Sequence, residues 1–324
     1  DRINPETGLP LQVKGRIWTD EFSDAILEIG ARRRDVVALT AAMLIPVGLG
    51  EFAERYPDRV FDVGIAEQHA VTMASGLAFG GLHPVVCVYA TFLNRAFDQL
   101  LMDCALHRAG VTFVLDRAGI TGSDGASHNG MWDMTMTGMV PGLHLSAPRD
   151  AAELARTLAE AVDIDDAPSV LRFSKQNPPA PMVAVRRSGT VDILREVEGE
   201  GKIDLMLVGL GEMAATAMSV AAKLSAQGRA VQVVDPRWCL PVSDDLIELA
   251  RHADAVAVLE DNLVAGGVGS QITQALREAG LATPVHLHGI PKRFLPHASR
   301  GELLEEIGLT PDAVADRLTD ALDR

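Results

Sequence analysis

The stretch Phe61-Asp-Val-Gly-Ile-Ala-Glu-Gln-His-Ala70 contains the junction between strand and helix that decides the fold. Its first residues predict a short strand that ends at Gly64, and the residues from Glu67 onward predict a helix. Ligands of open α/β sheets bind at the carboxyl ends of the strands, which is where Glu67 stands. Taken alone, however, a glutamate in a first helical turn is more often there to complement the helix dipole. The dipole interpretation is the stronger one at this point.

The same alternation of short apolar runs and longer amphipathic stretches continues outward from this junction and predicts βα units. The strands predicted in the first half are Val36–Thr40, Val60–Val63, Val85–Tyr89, Val111–Asp116, Leu143–Ser146 and Val170–Phe173. The helices predicted there are Trp18–Arg33, Glu67–Phe79, Phe92–His107 and Ala151–Val162. This half is therefore predicted to be an α/β domain with a mostly parallel sheet.

A cluster of three prolines at 178–181 can carry neither a helix nor a central strand, and the pattern restarts after it. We therefore predict a first domain at 1–176, a linker at 177–192 and a second domain at 193–324. The elements predicted after the linker are strands at Asp204–Val208, Ala230–Val234, Ala255–Leu259 and Val285–His288, and helices at Met213–Ala226, Asp244–Arg251 and Gly269–Ala279. The predicted fold class is α/β, with two domains that each have a mostly parallel sheet flanked by helices.

Composition limits the classes of function. A formal net charge of −15 over 324 residues argues against a general affinity for nucleic acid or for an anionic membrane. No uncharged apolar run approaches the roughly 20 residues that span a bilayer. The three cysteines stand in apolar segments without metal-ligand spacing, which is typical of reduced core thiols. We expect a soluble, cytoplasmic protein without a metal site on this chain, and residues upstream of Asp1 that have been removed or are missing from this sequence.

A glycine-rich segment follows the strand predicted to end at Asp116, and it reads Asp116-Arg-Ala-Gly-Ile-Thr-Gly-Ser-Asp-Gly-Ala-Ser-His-Asn-Gly-Met-Trp-Asp133. Its glycines allow backbone angles that are closed to other residues and would let the chain wrap around a small molecule. Arg117, Asp124 and His128 offer an anion anchor, a carboxylate and a group that titrates near neutral pH. A binding loop and an ordinary solvated loop are equally good interpretations of this pattern.

The segment Tyr89-Ala-Thr-Phe-Leu-Asn-Arg-Ala-Phe-Asp-Gln99 also begins at a predicted strand end. Phe92 and Phe97 are, by themselves, more often core residues than surfaces for a cofactor. Aromatic residues make up only 4% of the chain, however, so three of them within nine positions favour a ligand-facing surface.

In this order and at these separations, GIAEQHAV, YATFLNRAFDQ and DRAGITGSDGASHNGMWD resemble the 1-deoxy-D-xylulose-5-phosphate synthases of the transketolase superfamily. The resemblance continues through VVDPRW at 233–238, EDN at 260–262, AGGVGS at 265–270 and IPKRFLPHASRGE from Ile290. It implies a thiamine-diphosphate-dependent transferase that decarboxylates pyruvate. The remaining two carbons are joined to glyceraldehyde 3-phosphate, which gives 1-deoxy-D-xylulose 5-phosphate.

Enzymes of this family have a domain for the cofactor's diphosphate and Mg²⁺, a domain for its aminopyrimidine, and a C-terminal domain. This sequence resembles the second and third of these, and the Gly-Asp-Gly type of motif that belongs to the first does not occur in it. The glycines at 209–211 and 266–269 are predicted to allow tight packing at strand-to-helix turns instead. The implied partners are a diphosphate-binding domain or subunit and a second copy of the chain in a homodimer.

The resemblance also assigns cofactor-binding residues. Glu67 matches the catalytic glutamate that shares a proton with N1′ of the aminopyrimidine. Phe92 matches the aromatic residue that stacks on the same ring. Tyr89 and Arg95 would line the same cavity.

The substrate side follows in the same way. His128 matches an active-site histidine that transfers protons or binds the carboxylate, with Asp124 beside it as a further catalytic residue, and Tyr89 is implied on this side as well. Arg117 matches an arginine that grips the acceptor's phosphate. Many relatives have a proline and a glycine where this chain reads Arg172-Phe-Ser-Lys-Gln176. Lys175 keeps a cation there but cannot reproduce a bidentate guanidinium, so the acceptor stays open.

Two alternatives remain. The first is the C-terminal or β subunit of a split transketolase-like enzyme or of a 2-oxoacid dehydrogenase, although the loop with Arg117 fits the synthase better. The second is a non-catalytic interaction module, because a fold alone does not establish function. The joint presence of Glu67, Phe92, Arg117 and His128 argues against that module.

Overall fold

The structure is a computed structural model that describes residues 15–197 and 202–323. The first half of the chain contributes six strands to one sheet: β1 (Val36–Thr40), β2 (Val60–Asp62), β3 (His83–Tyr89), β4 (Thr112–Asp116), β5 (His144–Ser146) and β6 (Ser169–Arg172). Its helices are α1 (Trp18–Arg32), α2 (Gly50–Arg55), α3 (Glu67–Phe79), α4 (Phe97–Gln99), α5 (Asp133–Thr137) and α6 (Ala151–Ala161). The strand order is β5-β6-β4-β3-β1-β2, and every neighbouring pair is parallel, as predicted.

The second half forms another sheet and contributes one strand to the first. Its strands are β7 (Arg186–Ser188), β8 (Val191–Arg195), β9 (Ile203–Gly209), β10 (Val231–Asp235), β11 (Trp238–Leu240), β12 (Ala253–Leu263) and β13 (Val285–Ile290). Its helices are α7 (Met213–Ala226), α8 (Asp244–Ala250), α9 (Val268–Glu278), α10 (Arg300–Glu306) and α11 (Pro311–Leu322). The order β13-β12-β9-β10 is parallel, and the antiparallel strands β8 and β7 complete that edge.

Two features of the second half are not predicted by its sequence pattern. The hairpin of β7 and β8 begins inside the predicted linker at 177–192, where β7 is an edge strand, the one sheet position that a nearby proline cluster tolerates. Strand β11 pairs antiparallel with β5, so the second half closes the edge of the first sheet. The domain division at 176 and 192 stays a prediction.

The first sheet is buried on both faces, as expected for parallel strands that are covered by helices on each side. Along β1, Val36 and Ala38 pack with α1 and α6, whereas Val37 and Leu39 point to the opposite face, where α3 packs. This alternation follows from the two-residue period of a strand. The core on the α3 side continues into strands β8, β9, β10 and β12 of the second half, so the two halves share one apolar core.

The segment predicted as a single helix at Phe92–His107 changes pitch twice, and the prediction of one regular helix is wrong. A 3-10 helix spans Ala90–Ala96, α4 adds one turn, and a π-helix spans Leu100–Ala105. Apolar spacing does not distinguish these helices, because all three bury roughly every third or fourth residue.

The remaining general expectations concern cysteines and membrane segments. Cys87, Cys104 and Cys239 are all free and buried, as the sequence predicts. Within residues 15–197 and 202–323, the helices are all too short or too polar to cross a bilayer.

Candidate active site

The segments singled out in the sequence meet at one edge of the first sheet. In the strand order β6-β4-β3-β1-β2, the carboxyl ends of these parallel strands lie side by side. Tyr89 and Asp116, the last residues of β3 and β4, are paired in register. Lys175 follows β6, and Glu67 follows β2 after a short turn. This convergence is the position at which open α/β sheets bind ligands.

The 3-10 helix aligns an aromatic and cationic face. Tyr89, Phe92 and Arg95 are spaced by three residues, and a helix with three residues per turn stacks such positions above one another. The Tyr89 and Phe92 rings are stacked with centroids 5.8 Å apart and planes 16° apart. The Arg95 guanidinium lies 5.3 Å from the Phe92 centroid. An α-helix would offset each of these positions by about 60° from the one before, whereas the 3-10 pitch keeps the three on one line.

Glu67 is the first residue of α3 and is only 3% exposed. Arg95 Nη1 donates to Glu67 Oε1 at 3.0 Å. Ile65, two residues earlier in the chain, is 79% exposed. A carboxylate has two oxygens, and with Arg95 on Oε1 the Oε2 atom can accept a further donor. A role limited to the helix dipole would not need this burial.

The glycine-rich segment forms the second wall of the site. Arg117 has a positive φ of 60°, an uncommon conformation for a non-glycine residue, of the kind that is found at ligand-binding loops. Its guanidinium lies 4.1 Å from the Tyr89 centroid. Asp124 accepts from Arg117 Nη1 at 3.1 Å and from Lys175 Nζ at 2.6 Å. Burial acts to raise the pKa of Asp124, but Lys175 and then Arg117 outweigh it and hold the pKa below its usual range.

His128 closes the aromatic row. Its ring meets Phe92 edge to face, with centroids 5.7 Å apart and planes 72° apart. Its Nδ1 lies 3.0 Å from the Ser127 hydroxyl, and Thr91 Oγ1 donates to the Ser127 carbonyl at 3.0 Å. These hydrogen bonds connect the loop that carries His128 to the 3-10 helix that carries Phe92.

The structure therefore brings all eight site residues expected from the sequence into one continuous set of contacts. These residues are Glu67, Tyr89, Phe92, Arg95, Arg117, Asp124, His128 and Lys175. A cavity of about 660 Å³ begins at the cationic end of this set. Its walls include the residues Arg117, Thr121, Ser123, Lys175, Ser299 and Arg300, so the second half of the chain contributes to it.

Several buried charged residues around the site were missed in the sequence. Asp116 accepts from Thr19 Oγ1 at 2.6 Å beneath the loop, and its other oxygen is buried without a partner among the described residues. Burial raises the pKa of Asp116 to about 7. Arg172 is held by Asp133 at 2.9 and 3.1 Å, which removes this guanidinium from the open cavity. Such pairs lie far apart in the sequence, so neither spacing nor periodicity indicates them.

Metal ligands can be assessed for the described residues alone. Within 15–197 and 202–323, the His, Cys, Asp and Glu side chains form no group of three or more that is arranged to hold a metal ion. The charged and titratable groups of the site are two carboxylates, three cations and a histidine, which lie beside stacked rings. This arrangement can exchange a proton with a ring nitrogen at one end and bind an anion at the other.

The comparisons with known proteins agree with this architecture. The family model described as "Transketolase, pyrimidine binding domain" matches residues 14–181, and "Transketolase, C-terminal domain" matches residues 194–314. The chain belongs to the transketolase family.

Curated relatives refine this placement. The chain is 55% identical over 323 residues to "1-deoxy-D-xylulose-5-phosphate synthase 2" of Streptomyces coelicolor, a match that covers 100% of the chain and 50% of the relative. It is 57% identical over 311 residues to "1-deoxy-D-xylulose-5-phosphate synthase" of an Arthrobacter species, covering 95% of the chain and 47% of the relative. The chain thus spans about half the length of the curated relatives it matches.

A solved structure is similar over nearly its whole length. It is described as "Split gene transketolase, inactive beta4 tetramer" and is 30% identical to this chain, with a TM-score of 0.82. The match covers 95% of this chain and 99% of that chain. The arrangement of the two halves is therefore shared with a transketolase subunit of the same extent.

Proposed function

We propose that this chain supplies the aminopyrimidine-binding and C-terminal parts of a 1-deoxy-D-xylulose-5-phosphate synthase. The transferase would decarboxylate pyruvate and join its remaining two carbons to glyceraldehyde 3-phosphate. The single observation that carries the proposal is the continuous contact set from Glu67 through Arg95, Phe92 and Tyr89 to Arg117, at the strand ends where a ligand binds. Relatives that are 55% and 57% identical over most of the chain and carry this synthase name support it.

The described residues fit the aminopyrimidine of thiamine diphosphate. A flat heteroaromatic ring needs an apolar face, which the stacked Tyr89 and Phe92 rings extend, and a hydrogen-bonding partner at its edge, which the buried Glu67 carboxylate provides. When bound, thiamine diphosphate supplies the nucleophilic carbon for decarboxylation and carboligation.

Glu67 would hold and move the proton at the pyrimidine's N1′ atom. Burial keeps this carboxylate from exchanging its proton freely with water, and Arg95 orients it through Oε1. Phe92 would fix the plane of the ring, because its own orientation is fixed by Tyr89 on one side and His128 on the other. Arg95 thus fixes Glu67, and Tyr89 and His128 fix Phe92. The pyrimidine ring would therefore have a defined position before any substrate binds.

At the other end of the site, Arg117 and Lys175 would bind the acceptor's phosphate in the 660 Å³ cavity. Asp124 lies between the two cations at 3.1 and 2.6 Å and holds them on the same wall of the cavity. Two cations and one carboxylate leave a net charge of +1, which favours a phosphorylated over an uncharged aldehyde. His128, which meets Phe92, would bind pyruvate's carboxylate or transfer protons.

The proposal also assigns partners and a compartment. A diphosphate-binding domain or subunit would supply the Mg²⁺ site and the rest of the cofactor pocket, and the active assembly would be a cytoplasmic homodimer. The product class assigns the enzyme to the formation of isoprenoid, thiamine and pyridoxal precursors. The chain spans about half the length of the curated relatives it matches. This coverage supports the proposal that the catalytic unit has a second part.

One observation favours a second candidate, a subunit of a split transketolase. The split-gene structure matches the chain over 99% of its own length. The two candidates differ in donor substrate, because a transketolase takes its two-carbon unit from a ketose phosphate whereas the synthase takes it from pyruvate. At 30% identity this neighbour supports the candidate less strongly than the synthase relatives support the first.

The decisive experiment is an assay of the chain together with its diphosphate-binding part, thiamine diphosphate and Mg²⁺. Pyruvate with glyceraldehyde 3-phosphate should give CO₂ and 1-deoxy-D-xylulose 5-phosphate, detected by mass spectrometry. A ketose phosphate offered as donor should give no transfer. Transfer from the ketose with none from pyruvate would replace the synthase with the split transketolase, and no turnover with either donor would favour a non-catalytic module.

A further inference from the structure

The back of the glycine-rich segment is held by residues of the second half of the chain. The Ile120 amide donates to Asp261 Oδ1 at 3.3 Å, and the Ile120 carbonyl accepts from Arg300 Nη1 at 2.9 Å. Arg300 Nη1 also donates to Asp261 Oδ2 at 2.7 Å. The ion pair of Asp261 and Arg300 therefore binds both the amide and the carbonyl of Ile120 in the glycine-rich segment.

The glycines of this segment fit the same contact. The sequence predicts that they let the loop wrap around a small molecule, but two of them make room for the second half instead. A Cβ on Gly119 would lie 2.0 Å from Asp261 Oδ2, and a Cβ on Gly122 would lie 2.6 Å from the Arg300 backbone nitrogen. Both glycines also have positive φ angles, of 71° and 80°. The approach of Asp261 and Arg300 thus requires glycine at these positions.

Two further contacts extend this attachment along the loop. His297 Nε2 lies 3.0 Å from the Ser123 carbonyl, which it can reach only as a donor. The Ile120 side chain is fully buried in a cluster with Ile290, Leu295 and Leu303 of the second half. The loop is therefore fixed from Gly119 to Ser123, the residue directly before Asp124.

We propose that Arg300, Asp261 and His297 are positioning residues that set the place of Asp124 and thereby of the cations that bind the acceptor's phosphate. This inference rests on the proposed function and assigns the second half of the chain a part in acceptor recognition. The path is short, because Ser123 precedes Asp124 and Asp124 contacts both Arg117 and Lys175. Arg300 and its neighbour Ser299 also line the cavity themselves.

This role differs from general stabilisation of the fold. The attachment acts on the loop from 119 to 123, whereas Glu67 and Phe92 stand on α3 and on the 3-10 helix, whose main packing partners are elements of the first half. Loosening the attachment should therefore disturb the phosphate end of the site more than the pyrimidine end. The effect should appear in the KM for a phosphorylated acceptor and not in the KM for pyruvate.

The main test variant is Arg300→Met, which keeps much of the length of the side chain and removes its donors. Arg300→Met removes the cation beside buried Asp261 and also the one 3.7 Å from Glu212. The double variant Asp261→Asn/Arg300→Met is therefore measured in parallel, because it removes the charge of Asp261 and keeps an acceptor for the Ile120 amide. At the exposed end, His297→Leu removes the donor to Ser123, and His297→Gln restores one. The matched control is Arg293→Met, since Arg293 lies in the same segment and its side chain donates to Glu306, on α10, and not to the glycine-rich segment.

In the reconstituted enzyme, the double variant should raise the KM for glyceraldehyde 3-phosphate about tenfold, the size of one weakened charge-assisted contact. The KM for pyruvate and the rate with unphosphorylated glyceraldehyde should stay within about twofold of wild type. His297→Leu should shift the same KM in the same direction, and His297→Gln should reverse most of that shift. Equal changes in the KM values for pyruvate and for glyceraldehyde 3-phosphate would overturn the inference. So would variants whose KM values are the same as those of the Arg293→Met control.

A second measurement is independent of turnover. Amide hydrogen exchange of the peptide that covers 117–124 should be at least about tenfold faster in the double variant and unchanged in Arg293→Met. Unchanged exchange in this peptide would refute the attachment. If the wild-type enzyme made no product while exchange rose as expected, the proposed function would fail and the attachment of the loop would stand.

Discussion

The Arg95 guanidinium donates to the Glu67 carboxylate at 3.0 Å while it lies 5.3 Å from the centre of the Phe92 ring. One side chain therefore brings together a buried carboxylate on α3 and an aromatic ring on the 3-10 helix. The aminopyrimidine of the proposed cofactor would use both groups, one at its edge and one on its face. The arrangement exists in the protein before a ligand is added, so the cost of ordering these groups is already met in folding.

Glu67→Gln should keep the fold and reduce kcat more than tenfold, which corresponds to about 1.4 kcal/mol in the activation barrier. Glutamine can still accept from Arg95 and hydrogen-bond a ring nitrogen, but it cannot exchange a proton with it. Steady-state rates with pyruvate and glyceraldehyde 3-phosphate, in the enzyme that contains its diphosphate-binding part, measure the effect.

Glu51→Gln is the matched control, because Glu51 also lies in a first helical turn, that of α2, and is exposed. If helix-dipole complementation were the main role of Glu67, the two substitutions would have similar small effects on stability and none on turnover. Retention of more than about a tenth of wild-type kcat by Glu67→Gln would therefore sink the assignment of Glu67.

Lys175→Ala should raise the KM for glyceraldehyde 3-phosphate about tenfold and leave the KM for pyruvate nearly unchanged, since it removes one of two cations from the phosphate end. Without Lys175, Arg117 is the one cation of the two that still contacts Asp124. Lys223→Ala serves as control, because Lys223 is partly exposed and pairs with Asp312 on the second half, remote from the loop. Equal shifts in the KM values for glyceraldehyde 3-phosphate and for pyruvate would instead indicate that Lys175 has no specific role in acceptor binding.

Asp116 gives a prediction for the pH dependence of stability. Burial raises its pKa to about 7, against the usual 3.8, even though Thr19 donates to it and Arg117 and Lys175 lie nearby. The folded protein therefore holds this proton more tightly than the unfolded chain does. Its stabilising contribution is complete below about pH 4 and is lost as the pH rises through about 7.

Asp116→Asn should remove this loss, because an amide resembles the protonated acid and can still accept from Thr19. The gain in unfolding free energy over wild type should be small near pH 4 and should grow to roughly 4 kcal/mol at most by pH 8. Other buried acids, such as Glu260 with a pKa raised by burial to about 8, are present in both proteins and cancel in the comparison. The unfolding free energies of the two proteins are measured by denaturation from pH 4 to pH 8. A difference between them that stays constant over this range would contradict the prediction.

The sequence predicted the elements that place the site, because these carry strong local patterns. Strands such as β1 and β4 are buried along their whole length and read as continuous apolar runs, and the residues after them are polar and glycine-rich. The sequence pattern puts Glu67, Tyr89 and Arg117 each just after or at a predicted strand end, and the family resemblance implies that they belong to one site.

What the sequence did not predict depends on contacts between distant residues. The 3-10 pitch that aligns Phe92 with Arg95 cannot be told from an α-helical pitch by apolar spacing over so short a segment, because both helices bury roughly every third or fourth residue. Strand β11 joins the first sheet across a sequence separation of about 90 residues, and Arg300 reaches Ile120 across 180. Gly119 and Gly122 were correctly recognised as special positions, but the neighbour that requires them is protein.

The cofactor-binding affinity of the 324-residue polypeptide, tested by itself, follows from the groups it presents to the ring. The Phe92 face and the Glu67 carboxylate are worth about 2 to 4 kcal/mol before the cost of association is subtracted. Thiamine diphosphate carries most of its charge on the diphosphate, which the proposed function assigns to Mg²⁺ and a partner domain. We therefore expect a dissociation constant no tighter than about 1 mM in isothermal titration with thiamine diphosphate and Mg²⁺, and no CO₂ release from pyruvate. Adding the diphosphate-binding part should restore tight cofactor binding and the release of CO₂ from pyruvate. A dissociation constant below about 10 μM for the polypeptide alone would contradict this, since more than about 6.8 kcal/mol would then come from groups other than Phe92 and Glu67.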